Sequence, residues 1–379
     1  MTDPLRPTAP ASPHAAATNP IRVAVLGTGF GAAVHLPAMR QVPELRAMGV
    51  CSRRAERAHD VAREFGAPLA TTDFRELVKR PDIDAVIVAT PPHLHHAMVL
   101  TALDAGKHVL CEKPMAKSFA EARDMVKMAE RAGVSAMVNH EFRFVPTRAL
   151  VKELIESGFV GEPYSASMTF YRSSLNDPNG LPFTWLMEQD KAGGMLGAIG
   201  SHHLDTLRWW LGEVRSVGGA TATSVKRRRI ADSAQMATVD ADDTFAVVLR
   251  FASGAVGTVH YSAAATHEPA DSLVISGSEG MITLGGDGRV FGGRRGEPLA
   301  ELMIPEHLIR GASSGLHPLI QPTVLLLKTW VAAIRDRRQA PPSFTDGLRV
   351  QEILDAVGRS PASGRSVELT TARGRFAPA

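Results

Sequence analysis

From Ile21 the chain alternates between continuous apolar runs and amphipathic stretches. IRVAVLG is a β-branched run with no polar face beyond Arg22, the pattern of a strand covered on both sides. The pattern recurs in LRAMGVCS, ending at Ser52, and in IDAVIVAT, Ile83 to Thr90. HVLCEKP (His108 to Pro114) and VSAMVNH (Val134 to His140) repeat it again. Between the last two, Ala122, Met125, Val126 and Ala129 share one face of a helix predicted over Phe119 to Ala132. Strands and helices alternating over about 120 residues predict an α/β fold with a doubly wound parallel sheet. The period then changes to two. Tyr164, Ala166, Met168 and Phe170 alternate with their neighbours, as do Phe245, Val247, Leu249 and Phe251, which predicts strands with one buried face.

At 379 residues the chain is long for one core, so two domains are expected, at 21–141 and 142–379, after a tail at 1–20. That tail is rich in proline and alanine, without an apolar signal core, and reads as disordered. The most apolar helical stretch, Val324 to Ile334, is interrupted by Lys328 and falls short of the roughly 20 residues a membrane span needs. A net charge of +3 gives no case for nucleic acid, and the basic run Lys226 to Arg229 reads as a solvated loop. Two cysteines, Cys51 and Cys111, exclude a disulfide scaffold and point to a reducing, cytoplasmic location.

After the first strand stands GTGFGA, Gly27 to Ala32, a G-x-G-x-x-A turn opening a helix. Gly27 makes the tight turn, and Gly29 lets backbone approach a pyrophosphate. Thr28 and Phe30 lie in the same turn. Ala32 permits close packing of helix on strand. The ribose-reading position, at the end of the second strand, carries Ser52, Arg53 and Arg54 instead of a carboxylate. A hydroxyl and guanidinium groups suit a 2′-phosphate, so NADP is favoured over NAD.

GTGFGA, ATPPHLH (Ala89 to His95), EKP (Glu112 to Pro114) and GSHHLD (Gly200 to Asp205), in this order, resemble the Gfo/Idh/MocA oxidoreductases. The stretches DDTFAVVLRFASGAVGTVHYS, ISGSEGMITL and DGLRVQEILDAVGRSPASGRSVEL carry the resemblance to about Leu369. It implies an N-terminal Rossmann domain and a C-terminal α/β domain with a large, mostly antiparallel, open-faced sheet. An uncovered sheet face implies a homodimer or homotetramer.

The resemblance also implies roles. Lys113 would lie by the nicotinamide and position the reacting oxygen, since an ammonium stabilises charge developing there. Glu112 falls at a ribose contact. Thr90 and Pro91 would run along the cofactor, with His95 near the nicotinamide ribose. His202 aligns with the family's proton-carrying histidine. Helical spacing turns His203 towards packing with Leu207, Trp210 and Leu211, and sets His202 on another face with Asp205.

The family pattern D-x-G-x-H-x-x-D has Ala198 where its first aspartate belongs. Asp205, Glu188 or Asp190 would take over its task, or Tyr171 or His140 would serve as base, or the chain has kept the cofactor without the chemistry. Glu141 is a second departure, a substrate-recognising carboxylate or a partner for Arg143. Arg143, Arg172, Trp185 and Asp205 are the substrate-side candidates. His93, His95 and His96 lack the nearby ligands a metal needs, so no metal is expected. The expected activity is NADP- or NAD-dependent interconversion of a secondary alcohol and a ketone on a sugar, cyclitol or similar polyol. A non-catalytic dinucleotide sensor and a redox-assisted glycosidase are the alternatives.

Overall fold

The computed structural model describes residues 19–309 and 317–370. The tail expected at 1–20 thus lies outside the described residues, apart from Asn19 and Pro20. The first domain is built on six parallel strands: β1 (Ile21–Leu26), β2 (Leu45–Cys51), β3 (Leu69–Thr71), β4 (Ala85–Val88), β5 (His108–Cys111) and β6 (Ala136–Val138). Their order, β3-β2-β1-β4-β5-β6, reverses between β1 and β4. That reversal opens a crevice at the carboxyl ends of the strands, where the motif turns fall. Strand β3 is absent from the hydrophobic pattern because its three residues are only half-buried. The helix Phe119–Ala132 has the predicted bounds and buries the predicted face. Ser118 caps its start through the Glu121 amide, and Gly133, at φ +64°, ends it in the left-handed conformation.

The remaining strands belong to the second domain. They are β7 (Pro163–Tyr171), β8 (Val214–Ala222), a separate hairpin of β9 (Arg227–Arg229) and β10 (Met236–Thr238), β11 (Thr244–Phe251), β12 (Val256–Ser262), β13 (Ser272–Gly277), β14 (Gly280–Gly285), β15 (Val290–Arg294), β16 (Ala300–Glu301) and β17 (Val367–Glu368). Nine of them form one sheet in the order β16-β15-β14-β13-β7-β12-β11-β8-β17. All its pairs are antiparallel except β12 with β7. Phe245, Val247, Leu249 and Phe251 are buried, while Ala246, Val248 and Arg250 face outward. In β7 the alternation meets the core from Ala166 onward, and Tyr164 is 55% exposed. Helices Ser201–Leu211 and Phe344–Ser363 cover the inner face, contributing Leu204, Leu207, Trp210, Ile353 and Val357 to its core.

The basic run is not a solvated loop. Residues 227–229 form β9, and Arg228 is turned inward at 1% exposure. Its guanidinium donates to the carbonyl oxygens of Asp177, Leu181 and Leu175, which holds the loop that follows β7. Strand alternation buries one of three consecutive arginines, and the carbonyls satisfy it.

The chain also returns to where it began. Helix Ile320–Arg335 buries Val324, Leu326, Leu327 and Trp330 in the core around Val23, Val25 and Val34 of the first domain. Pro342 and Gln339 then accept hydrogen bonds from the Val138 and Ala136 amides, covering the free edge of β6.

Candidate active site

A cavity of about 990 Å³ lies at the crevice. Its walls come from the turns after β1, β2, β4 and β5 and from the second domain's Phe183–Leu186 and Ala198. Gly27 has φ +107°, and a Cβ there would stand 2.3 Å from the Ala89 carbonyl oxygen, so only glycine serves the turn. Gly29 has nothing within 4 Å of where a Cβ would stand and lines the cavity. A backbone this bare, followed by the helical turn Gly31–His35, fits a pyrophosphate against free amides. The residues present therefore fit a bound dinucleotide.

Thr28, Gly29, Phe30, Ser52, Arg53, Thr90, Pro91, Glu112, Lys113 and Trp185 all line this cavity. The hydroxyls of Thr28 and Ser52 are hydrogen-bonded at 3.0 Å, which ties the glycine turn to the end of β2. Arg54 is exposed at the start of the next helix, outside the cavity lining. Among the described residues, the carboxylates lining the cavity are Glu112 and Glu188.

His95 does not reach the cavity. It is fully buried, and its two ring nitrogens lie 2.8 Å from the Thr90 carbonyl oxygen and 3.1 Å from that of Pro114. It is a strut between the turns after β4 and β5, and burial pushes its pKa down. Glu112 is held by the His35 ring and the Asn139 amide, both at 2.7 Å. Burial works against its charge, but the His35 ring and Lys113 keep its carboxyl below the ordinary range. So Glu112 fixes the turn from which Lys113 projects.

Lys113 crosses to the second domain, donating from Nζ to the Ala198 carbonyl oxygen at 2.9 Å. Ala198 sits in the wide turn Leu196–Gly200 that opens helix Ser201–Leu211, one turn ahead of His202. Asp242 anchors the start of that turn by accepting from the Leu196 amide at 2.8 Å, and burial raises its pKa to about 6. The two segments expected to meet do meet, since the Lys113 ammonium is bonded to Ala198, four residues before His202. Burial and then the Lys113 charge lower the imidazole pKa of His202.

His202 is 2% exposed, and its ring stacks on Phe142 with centroids 4.0 Å apart. The other face of that arrangement is cationic, since the Arg148 guanidinium lies over the Phe142 ring at 4.6 Å. Next to it, His203 stacks on Phe170 of β7 at 4.2 Å, in the packing position that helical spacing assigns it. His140 approaches His202 edge-on at 5.9 Å.

The carboxylate nearest His202 is Glu141, with Oε1 3.6 Å from Nε2. Neither Glu141 nor Arg143 is the other's partner. Arg143 forms a bidentate pair with Asp205 at 2.8 and 2.6 Å and reaches Asp346 at 3.0 Å. Both Arg143 and Asp205 are buried and outside the cavity lining. The structure thus does not bring Asp205 to the His202 ring. Arg172 is paired with Asp271 at 2.7 Å, also outside the lining, and Tyr171 packs its ring near His260. Glu188 lines the cavity, paired with Lys191 at 2.7 Å, whereas Asp190 is exposed. No group of His, Cys, Asp or Glu among the described residues has the arrangement of a metal site. No helix of the described residues is long and apolar enough to cross a membrane.

Residues 21–140 match the family model described as an oxidoreductase family with an NAD-binding Rossmann fold. Residues 149–283 match the Gfo/Idh/MocA C-terminal domain. The chain belongs to the Gfo/Idh/MocA oxidoreductase family. Among relatives, it is 31% identical to an uncharacterised oxidoreductase of Synechocystis, over 88% of this chain and 92% of that one. It is 29% identical to the levoglucosan dehydrogenase of Pseudarthrobacter phenanthrenivorans, over 92% and 98%. A solved levoglucosan dehydrogenase in complex with NADH and L-sorbose superposes with a TM-score of 0.87 at 27% identity, covering 93% of this chain and 100% of that one. This Gfo/Idh/MocA chain is an NAD(P)-dependent oxidoreductase, with the family's Rossmann domain followed by its large antiparallel sheet.

Motif spacing does not identify Glu141 as the neighbour of His202. The sequence marks it as a departure from the family pattern and as a charged residue after a run, VSAMVNH, that reads as a buried strand, and neither signal points to His202. Asp242 is silent in sequence, one acid among several after the arginine run.

Proposed function

We propose that this protein is an NADP-preferring dehydrogenase that interconverts a secondary alcohol and a ketone on a sugar, cyclitol or related polyol. The observation that carries this reading is the meeting of Lys113 and Ala198 at the wall of the cavity that the glycine turn opens, one helical turn ahead of His202, which is buried behind that wall and outside the lining. A bound nicotinamide dinucleotide supplies the hydride donor or acceptor. Lys113 holds and polarises the reacting oxygen, and its ammonium offsets negative charge that grows there. His202 exchanges the hydroxyl proton. Trp185 and Phe183 give the cavity apolar ring faces of the kind that pack on sugar rings.

Support for NADP comes from the Ser52–Arg53 end, where a hydroxyl and a guanidinium line the cavity beside Thr72 and Phe74 without a carboxylate. The names of relatives point the same way for substrate: levoglucosan, D-apiose, 1,5-anhydro-D-fructose and myo-inositol are acted on by similar proteins. Two free, buried cysteines agree with a reducing cytoplasm. Exposed apolar residues on the outer sheet face, Val248 among them, support a second copy docked there.

The test is binding and turnover with purified protein. Titration with NADP⁺ and NAD⁺ should give tighter binding of the former. A panel of aldoses, cyclitols and anhydrosugars should then show dinucleotide reduction that Lys113→Ala abolishes. Binding of neither dinucleotide would overturn the proposal.

A further inference from the structure

Glu141 is a buried carboxylate to which no other residue among those described donates a hydrogen bond. It is 0% exposed, and Nδ1 of His202 likewise has no hydrogen-bond partner among the described residues. Such a group is costly unless something nearby uses it. The neighbour is the His202 ring, 3.6 Å away, a separation of ion-pair range that leaves the hydrogen bond itself to be formed. The two come from different domains: Glu141 opens the turn Glu141–Phe144 after β6, and His202 stands on helix Ser201–Leu211. They are brought together only when the domains dock.

We propose that Glu141 is the positioning carboxylate of His202, and that the two side chains act as one unit that takes up a single proton. This deepens the reading of His202 as proton carrier and rests on it. With Nε2 turned to Glu141, Nδ1 is the ring nitrogen without an internal use. When Nδ1 takes a hydroxyl proton, the substrate O–H bond breaks and an N–H bond forms on Nδ1, while the Nε2–H bond breaks and an O–H bond forms on Glu141, which is ionised above about pH 8. Two protons each shift by one place, the pair gains one proton in all, no electrons move in this step, and the imidazole ends neutral.

The surroundings explain why the proton should not rest on the ring. Burial opposes a charged His202, and Lys113, His140, His203 and Arg148 add to that opposition. Glu141 faces the opposite pressure. Burial and then the Glu112 charge raise its pKa to about 8, partly offset by Lys113 and Arg148. A relay from a ring that resists a proton to a carboxylate that accepts one follows from those fields. Ala198, one turn ahead of His202 and lining the cavity, leaves that side of the ring without a carboxylate of its own.

The experiment uses the full-length protein as wild type, Glu141→Gln, Glu141→Gln with Ala198→Asp, and His202→Asn to assign the ring signal. Histidine-labelled samples are titrated by NMR, and initial rates on the polyol panel are followed against pH. In wild type the His202 signal should move through a step near pH 8 as Glu141 ionises. Glu141→Gln should lose that step and slow turnover about 10- to 100-fold. Ala198→Asp should restore a pH-dependent step and part of the rate, which a merely structural role of Glu141 would not allow. A His202 titration unchanged by Glu141→Gln overturns the pairing, as does a folded double variant with no recovery. If wild type turns over nothing on the panel, the functional reading fails, while the NMR titration still decides the pairing.

Discussion

The Lys113 ammonium and the Ala198 carbonyl oxygen, 2.9 Å apart, join the turn after β5 to the turn that carries His202. One hydrogen bond therefore ties Lys113 to the turn that precedes His202, and these are the two side chains proposed to react. Lys113→Ala should lower turnover by at least roughly 100-fold, while dinucleotide affinity changes only a few-fold. Rates measured beside a binding titration check this. A loss of affinity equal to the loss of rate would place the lysine in cofactor holding alone.

The proton count of Glu141 makes a separate prediction about stability. Its carboxyl is raised to about 8 from an ordinary 4.5, so the folded chain keeps a proton that the unfolded chain releases. That contribution is complete below pH 4.5 and is lost as pH rises through about 8. Glu141→Gln has no such loss. Its melting temperature relative to wild type should rise by roughly 5 °C between pH 5 and pH 9. A difference that stays flat across the range would show that Glu141 is not the buried acid described.

Cofactor choice is predicted to turn on the end of β2. Ser52→Asp puts a carboxylate beside the Thr28 hydroxyl and the Arg53 guanidinium, where it accepts from a ribose hydroxyl and repels a 2′-phosphate. The ratio of NADP⁺ to NAD⁺ affinity should fall by about 10-fold or more. Calorimetric titration with both dinucleotides reads the ratio directly.

Gly194 holds the wide turn in place. Its φ is +100°, and a Cβ there would lie 2.2 Å from Oδ1 of Asp242, the residue that anchors the Leu196 amide. Gly194→Ala should destabilise the protein by about 1–3 kcal/mol and slow turnover, through displacement of the His202 helix. Thermal melts and kcat measured together test it, since a variant that melts normally at full rate would remove the turn from the argument.

Asp205 is predicted to matter for folding before chemistry. It is 1% exposed, and burial, which would raise its pKa, is outweighed by Arg143, so the carboxyl stays ionised below its ordinary range. Asp205→Ala leaves a buried guanidinium with Asp346 alone and should cost about 3–5 kcal/mol, measured by denaturant unfolding at pH 7. In wild type this stabilisation is present above pH 4 and disappears as acid protonates the carboxylate.

Local pattern made the first domain readable. Continuous apolar strands, a glycine turn at the end of one, and a capped amphipathic helix are each encoded within a dozen residues, and Phe119–Ala132 has the bounds its periodicity predicts. Strand β3 escaped because three half-buried residues carry no period. The motifs that carry Lys113 and His202 are local and readable, and the structure joins them through the Ala198 carbonyl. What surrounds them was not readable. The proximity of Glu141 to His202, the use of Asp205 by Arg143 and the inward turn of Arg228 depend on segments about 50 to 60 residues apart. Spacing in the chain carries no distance of that kind. His95 shows the same limit from the other side, for a motif histidine beside a cofactor turn spends both nitrogens on backbone.

Trp330 and its neighbours complete the interior around β1, which places a late part of the chain at the heart of its beginning. A ribosome making this protein releases the nucleotide-binding strands some 300 residues before the helix that seals them, by the numbering of Val23 and Trp330. Until that helix emerges, this apolar side of the newborn sheet is covered only in part, by Val34, Leu36, Met39 and Val61 of the first domain's own helices. The first half to be synthesised is thus among the last to close, and chaperone occupancy on nascent chains should persist until Ile320–Arg335 has left the exit tunnel.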